Sequence, residues 1–156
     1  MKQEHSYSVN IEWTGNNGSG TSAYTAYRRD HFISSSNKPY IPASSDPAFR
    51  GDPTRYNPEE LLLASLSSCH MLWYLHLCAE EGVIVLEYSD QAKGTMVELK
   101  DGSGHFSEVT LFPHVKVKDT SMLLKAEALH DEAHKKCFIA NSCNFPVHHL
   151  PTLSVA

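Results

Sequence analysis

The pattern of hydrophobic and polar positions opens with a predicted β-hairpin. Residues 7–13 alternate apolar with polar side chains, which is typical of a half-buried strand. Residues 16–20 consist of asparagine, glycine and serine and predict a turn, so residues 24–27 are expected to begin the returning strand. Residues 34–56 are rich in proline, glycine and serine, which indicates a long irregular segment.

One long apolar segment, residues 57–82, predicts the central helix of the protein. Asn57 is a good N-cap, Pro58 suits the first helical position, and Gly82 supplies the left-handed residue that commonly ends a helix. After the two glutamates of the first turn, no formal charge occurs until the last turn. A helix over residues 58–81 would be about 36 Å long. Because it is apolar on nearly every side, we expect it to be buried all round.

The length and hydropathy of this helix would also allow it to span a bilayer. Its acidic flanks and the lack of a second apolar segment argue against a membrane span. So do the polar side chains inside the run, which are Ser65, Ser67, Ser68, His70 and His76. We therefore predict no membrane association and interpret the segment as the core helix of a soluble protein, covered by its own sheet and, in a dimer, by a partner subunit.

Three strands and a second helix are predicted after the central helix. The strands are expected at residues 83–88, 92–99 and 106–117. Thr120 or Ser121 is expected to cap a helix that runs to about residue 136, and the tail adds a last strand. No repeat or linker interrupts this order, so we predict a single α+β domain over residues 1–156.

Composition and charge narrow the function. The formal net charge of -5, without a lysine or arginine cluster, argues against a nucleic-acid partner. The first residues lack the apolar core of a signal peptide, so we expect a cytoplasmic protein. In that compartment the four cysteines are more often catalytic, metal-binding or inert than parts of a structural disulfide framework.

Cys69 lies in the middle of the predicted central helix, among serines and apolar side chains. Most free cysteines are simply small buried hydrophobes, and a reactive thiolate needs an electropositive setting. Cys69 is several turns from the positive end of the helix, so a guanidinium would have to come from elsewhere. The available side chains are Arg50 and Arg55, which precede the helix, and Arg28 and Arg29, at the end of the first hairpin.

Cys137, at the end of the second helix, is the candidate partner for Cys69 in a reversible pair. A cysteine near the end of one helix can approach a cysteine inside another. Cys78 is a poor partner, because nine residues along a helix turn it by about 180° and shift it by about 13 Å, beyond the reach of a disulfide. We interpret Cys78 and Cys143 as structural.

A zinc site is an alternative interpretation of the second helix. His130, His134 and Cys137 follow one another at spacings of four and three and could share one face. The segment 130–134 superficially resembles a zincin motif, but its glutamate stands in the wrong place, and no fourth ligand is evident. Surface histidines are the simpler interpretation, so no metal is predicted.

The segment Asn57-Pro-Glu-Glu-Leu-Leu-Leu-Ala-Ser-Leu-Ser-Ser-Cys69, followed by Ala133-His-Lys-Lys-Cys137, resembles the OsmC/Ohr family of thiol-dependent organic hydroperoxide reductases. The resemblance covers nearly the whole chain. It implies an α+β OsmC-like fold with an N-terminal hairpin, a long buried central helix, antiparallel strands and a second helix. It also implies an intertwined two-fold dimer.

The resemblance assigns roles to individual residues. It implies that Cys69 is the peroxidatic cysteine, that Cys137 is the resolving cysteine, and that Glu59 orients an arginine. Arg50 matches the OsmC branch of the family, while Arg28 or Arg29 better suits the Ohr branch. The arginine therefore stays open between these positions.

The activity implied by the resemblance is reduction of an organic hydroperoxide to an alcohol. Cys69 would become a sulfenic acid and then a disulfide with Cys137, which an external dithiol, with a lipoylated protein as one candidate, reduces without a bound cofactor. Met71, Trp73, Tyr74 and Phe138 are candidates for a pocket that takes an organic substrate, with plain core residues as the alternative. The chain departs from the family at Phe138, where proline is usual, and at His70, where an apolar residue is common.

The spacing of Glu59 and Cys69 bears on assembly. Ten residues along a continuous helix separate two side chains by about 15 Å and about 80°. If both serve one site, either the helix breaks early or Glu59 comes from a symmetry-related helix, which predicts a two-fold homodimer with the site at the interface. The alternative function is a non-catalytic redox-sensing or ligand-binding protein on the same fold.

Overall fold

The computed structural model describes residues 2–156, which form two compact units, residues up to 61 and residues 62–156. The boundary between the units falls in the first turns of the central helix. The mixture of two α-helices with antiparallel and mixed sheets confirms the predicted α+β class.

The first unit contains a three-stranded antiparallel sheet. Its strands are β1 (Asn10–Trp13), β2 (His31–Ser34) and β3 (Ile41–Ala43), in the order β1-β2-β3. The hairpin of β1 and β2 was predicted, but the expectation that the returning strand begins at residue 24 is wrong.

The guanidinium of Arg29 explains why residues 24–27 form turns instead of a strand. It donates hydrogen bonds to the carbonyl oxygens of Tyr27 at 2.6 Å and Tyr24 at 2.8 Å, and it stacks over both rings. These bonds occupy carbonyl groups that would otherwise accept hydrogen bonds from a neighbouring strand. The strand β2 therefore begins only at His31.

The segment between β2 and the central helix is more regular than predicted. It includes β3 and a short 3-10 helix, Pro47–Phe49, whose N-cap Asp46 accepts a hydrogen bond from Ala48 N at 2.7 Å. Gly51 packs directly against the backbone of Ser45, where a Cβ atom would lie 1.5 Å from the carbonyl oxygen. These local bonds fix the approach of the chain to the helix.

The central helix α1 spans Pro58–Glu80, one residue short of the predicted end. Its predicted cap is present as a capping box, in which Glu60 N donates to Asn57 Oδ1 at 2.8 Å and Asn57 N donates to Glu60 Oε2 at 3.1 Å. Gly82 follows with φ of 73°, the left-handed conformation that glycine adopts at helix ends. These signals were readable because they are local.

Within the single chain only one side of α1 is buried. The buried residues are Leu66, His70, Tyr74, Leu77 and Cys78, at helical spacing, whereas Leu72 is 62% exposed. The helix is long and apolar enough to cross a membrane, a test that the core helix of a soluble protein also passes. Coverage of its other side by a partner subunit stays a prediction.

The second unit contains two three-stranded sheets and the helix α2 (Leu123–Lys136). Its strands are β4 (Val85–Asp90), β5 (Lys93–Glu98), β6 (Gly104–Leu111), β7 (Pro113–Val117), β8 (Val147–His149) and β9 (Thr152–Val155). The sheets have the orders β4-β7-β9 and β5-β6-β8, and the two tail strands β8 and β9 pair in parallel with β6 and β7. The sequence predicted one strand in the tail, whereas the structure has two.

The predicted strand over residues 106–117 is divided into β6 and β7, which belong to different sheets. The division falls at Phe112, whose backbone N–H donates to Asp90 Oδ1 at 2.7 Å instead of to a neighbouring strand. The other oxygen of Asp90 accepts a hydrogen bond from the Ser67 hydroxyl at 2.5 Å. One carboxylate thus ties the strand break to α1.

Two apolar clusters hold α1 in the second unit. In one, Leu66 packs with Val109 and Leu111 of β6. In the other, Tyr74, Leu77 and Cys78 pack with residues of β7 and α2, which are Val115, Val117, Ala126, Leu129 and Ala133. The site described below lies between α1 and α2.

Candidate active site

The structure brings together two of the predicted site residues, Cys69 on α1 and Cys137 directly after α2. The two thiols are near enough for Cys69 to contribute to the raised pKa of Cys137, and both cysteines are free. Cys69 is half-buried, whereas Cys137 is 1% exposed. Cys69 is therefore the more solvent-accessible residue of the pair.

The pKa of the Cys137 thiol is raised to about 11. The largest cause is burial, which disfavours the thiolate, and the next is the hydrogen bond to Cys69. Ala140 N donates to Cys137 Sγ at 3.4 Å, which lowers the pKa without reversing the shift. Cys137 is therefore protonated at neutral pH.

The end of α2 sets the position of Cys137. Its backbone N–H still donates to His134 O at 3.3 Å, but its ψ of 109° turns the chain out of the helix. A short 3-10 helix, Ala140–Ser142, follows at once and aims the N–H of Ala140 at the sulfur. The cysteine thus sits in a tight turn with its side chain directed inward.

The aromatic side chains predicted to form a substrate pocket divide into two groups. Trp73 and Phe138 meet edge to face with ring centroids 5.6 Å apart, and Phe138 is 64% exposed. Tyr74 is completely buried, stacks on His130 at 3.9 Å and donates to Ala126 O at 3.0 Å. Tyr74 is therefore a core residue, which is the second of the two alternatives for this position.

The two remaining cysteines lie outside the thiol pair. Cys78 belongs to the apolar core next to Tyr74, and burial raises its pKa. Cys143 donates to Ile139 O at 3.3 Å, and burial raises its pKa as well.

The alternative zinc site finds no support in the geometry. Within residues 2–156 no three side chains of histidine, cysteine, aspartate or glutamate converge as metal ligands. The buried His130 faces His70, with His130 Nδ1 and His70 Nε2 3.0 Å apart, while Cys137 faces Cys69. The sequence spacing on α2 is correct for a shared face, but that face packs against α1.

The remaining predicted residues belong to the first unit. Arg28 is exposed and pairs with Asp30 at 3.4 Å, and Arg29 is held by the carbonyl groups of residues 24 and 27. Arg50 is exposed and ends the 3-10 helix with φ of 64°. Glu59 Oε2 is buried and, among residues 2–156, has no hydrogen-bond partner. A buried carboxylate oxygen without a donor is costly, so Glu59 is suited to receive one.

Arg55 is a candidate that the sequence-based assignment passed over in favour of Arg50. Its side chain is 23% exposed, and its Nε lies 3.7 Å from Asp52 Oδ2. Its Nη1 is buried with no hydrogen-bond partner in the described part of the chain. Arg55 and Glu59 thus each have one buried polar atom without a hydrogen-bond partner among the described residues. Their separation of four residues in the sequence is the one feature that could have suggested Arg55 as the partner of Glu59.

Comparison with known proteins places these observations in a family. The family model for OsmC-like proteins matches residues 51–149. No curated protein sequence matches the chain. The structure is similar to an OsmC-like protein of unknown function from Vibrio cholerae, with 31% identity and a TM-score of 0.82 over 96% of this chain and 100% of that one.

Two further structures share the fold at lower identity. One is an organic hydroperoxide resistance protein from Elizabethkingia anophelis, with 17% identity and a TM-score of 0.65 over 99% of this chain and 100% of that one. The other is a putative organic hydroperoxide resistance protein from Vibrio cholerae with captopril bound in one of its active sites. It has 17% identity and a TM-score of 0.63 over 98% of this chain and 95% of that one.

Proposed function

Because the chain belongs to the OsmC-like family, which includes organic hydroperoxide resistance proteins, we propose that it is a thiol-dependent peroxidase that reduces organic hydroperoxides to alcohols. The observation that carries the proposal is the proximity of the half-buried Cys69 to the buried Cys137, whose pKa it raises. In this proposal Cys69 reacts with the oxidant, and Cys137 then forms a disulfide with it.

The proposed reaction has three steps. The Cys69 thiolate attacks the distal oxygen of the hydroperoxide, so an S–O bond forms, the O–O bond breaks, and the alkoxide takes up a proton and leaves as the alcohol. The Cys137 thiol then displaces the sulfenic hydroxyl of Cys69, giving a disulfide and water. An external dithiol supplies two electrons and two protons and restores both thiols. No cofactor or metal enters the cycle.

An arginine is the missing electrostatic component. A guanidinium beside Cys69 would stabilise the thiolate and the departing oxygen, and Glu59 would orient it through a bidentate pair. The family pattern favours Arg50, with Arg28 or Arg29 as alternatives, whereas the unpartnered Nη1 favours Arg55.

The lysine variants R50K and R55K separate the two leading arginines. Lysine keeps the charge but loses the fork, so we expect the variant at the functional position to lose about 100-fold in kcat/KM. The other variant should stay near the wild type. Equal activities of wild type and both variants would exclude a role for either residue.

We propose a homodimer with shared sites, which the continuity of α1 supports. Since the helix is unbroken from Pro58 to Glu80, Glu59 and Cys69 of one copy are about 15 Å apart along it. A site that uses both residues would then take Glu59 from a second copy. The exposed apolar side chains Leu72 and Phe138 are consistent with such an interface.

Subunit mixing tests this arrangement. The variants C69S and E59Q should each be nearly inactive, but a mixture allowed to exchange subunits should regain about a quarter of wild-type activity. Half of the dimers are then mixed, and one of the two sites in each is intact. No recovery after verified exchange would place both residues in one subunit.

The central experiment is consumption of cumene hydroperoxide with a dithiol reductant. Wild type should turn over repeatedly, and C69S should not react. C137S should consume one equivalent and accumulate a sulfenic acid that dimedone traps. Lys100, which is exposed in the turn between β5 and β6, offers Lys100→Gln as a folded control. Lack of consumption by wild type would refute the peroxidase proposal and favour a redox-sensing or binding role.

We place the reaction in the cytoplasm, where dithiols such as those of lipoylated proteins keep disulfides reduced.

A further inference from the structure

A buried pair of histidines lies beside the two cysteines and is not used by the proposed chemistry. His70 and His130 are each 1% exposed. Their rings are nearly coplanar, 5° apart, with His70 Nε2 and His130 Nδ1 at 3.0 Å. Tyr74 covers the face of His130 at a centroid distance of 3.9 Å. One ring N–H therefore donates to the bare nitrogen of the other ring, across the interface between α1 and α2.

Each ring makes this one hydrogen bond only. The outer nitrogens, His70 Nδ1 and His130 Nε2, are buried without a partner anywhere in residues 2–156. The shared hydrogen bond satisfies one nitrogen of each ring and leaves the other nitrogen of each ring buried without a partner. Two well-packed apolar side chains at these positions would avoid that desolvation cost. A directional polar contact is retained here at a cost, which points to a positioning task.

The histidine contact and the thiol contact join the same two helices. His70 follows Cys69 directly on α1, so their Cα atoms are about 3.8 Å apart. His130 and Cys137 are seven residues apart, which is nearly two full turns, so they project from the same side of α2. A rotation or slide of α1 that breaks the histidine bond must also move Cys69 relative to Cys137.

We propose that His70 and His130, through their hydrogen bond, form a positioning pair that holds Cys69 opposite Cys137 and so speeds closure of the disulfide between them. The proposal rests on the proposed function only for the oxidant that starts closure. His70 and His130 do not touch the reacting sulfurs in this account, and they act by fixing the two helices.

The surroundings of the pair keep both rings neutral. One added proton places a charge in the core, and two added protons set two N–H donors against each other. The groups that face the pair cannot neutralise that charge well, because two of them are themselves histidines. They are His149 of β8, stacked on His70 at 5.4 Å, His134 of α2, whose ring is tilted against that of His149 at 5.4 Å, Asp131, which is 3.3 Å from His149, and the neutral Tyr74.

The test separates closure from peroxide reduction. Reduced protein is treated with diamide, an azo oxidant that takes up two electrons and two protons as two thiols become a disulfide. The rate of Cys69–Cys137 closure is followed by acid quenching, alkylation and peptide mass mapping. In H70L the bond is lost, and we expect closure to slow by about tenfold or more, since small misplacements of reacting groups act on this scale.

The variant H70Q/H130N supplies the decisive comparison. Glutamine places an amide near the position of Nε2 and asparagine near that of Nδ1, so a neutral hydrogen bond can form without a titrating ring. We expect this variant to close within about threefold of wild type at pH 7.5, and therefore several times faster than H70L. Comparing the variants at one pH leaves the titration of the thiols out of the measurement.

The control is H76Q on the same helix. His76 is exposed and contacts only Glu80, at 3.4 Å, among the charged groups of the described residues, so its closure rate should match wild type. The proposal fails if H70L closes as fast as wild type, or if H70Q/H130N closes as slowly as H70L. Because diamide needs no peroxidase activity, a wild type that ignores cumene hydroperoxide refutes the proposed function and leaves this test in force.

Discussion

Mild acid should destabilise the reduced protein through the same two histidines. Burial is the largest cause that lowers the pKa of His70 from its ordinary 6.5 to about 4 and that of His130 to about 3. Next come the charges of His149 and His134 for His70, and those of His70 and His149 for His130. The perturbation is a change from pH 7 to pH 5, which is above the range where exposed carboxylates titrate.

The sign follows from proton binding in the two states. Between about pH 6.5 and pH 4 the unfolded chain takes up a proton at this position and the folded chain does not. The free energy of unfolding therefore falls as the pH falls through this window and is fully recovered above it. At pH 5 one such ring costs about 2 kcal/mol relative to neutral pH. Since the two rings share one hydrogen bond, we take this single value as the minimum for the pair.

Urea unfolding followed by tryptophan fluorescence measures the effect, at one protein concentration and with a reductant present. For a chain of this size a loss of about 2 kcal/mol lowers the urea midpoint by about 1 M. The variant H70Q/H130N should lose less than half as much between pH 7 and pH 5. An unchanged midpoint in wild type, or an equal loss in the variant, would refute the assignment of acid sensitivity to the histidine pair.

Three stability predictions test the packing around the site, each by the change in free energy of unfolding. Asn57→Ala removes the capping oxygen of α1 and should cost about 1 kcal/mol, and Asn57→Asp should restore most of it. Leu66→Ala empties a fully buried position and should cost about 2–5 kcal/mol, whereas Leu72→Ala on the exposed side should cost far less in the monomer. Gly51→Ala sets a Cβ 1.5 Å from Ser45 O and should cost about 1–3 kcal/mol or more, so a neutral effect would mean that this loop moves freely.

The limits of α1 could be predicted because their signals are local. Asn57, Glu60 and Gly82 act within one turn of the backbone atoms that they satisfy, and the sequence spacing alone defines them. The division at Phe112 could not be predicted in this way. It depends on a carboxylate 22 residues earlier, and the apolar run itself continues through it.

The candidate site divides along the same line. The sequence motifs singled out Cys69 and Cys137, which the structure brings into contact. His70 and His130 are 60 residues apart in the sequence, and no pattern of hydrophobic and polar positions predicts that they pair. On the sequence alone, His130 was assigned to a helix surface or a zinc site, because spacing defines a face of α2 but not what packs on that face.

The parallel tail strands β8 and β9 have a consequence for biosynthesis. Each completes a different sheet of the second unit, and Ala156 N still donates to Val117 O at 3.0 Å. When α1 and α2 have emerged from the ribosome, β8 and β9, which are the outermost strands of the two sheets, have not yet been synthesised. His149, which stacks on His70, arrives with that late segment. During translation the two thiols are thus exposed to oxidants before their surroundings are assembled, and a nascent chain would need reducing conditions until its last strands have docked.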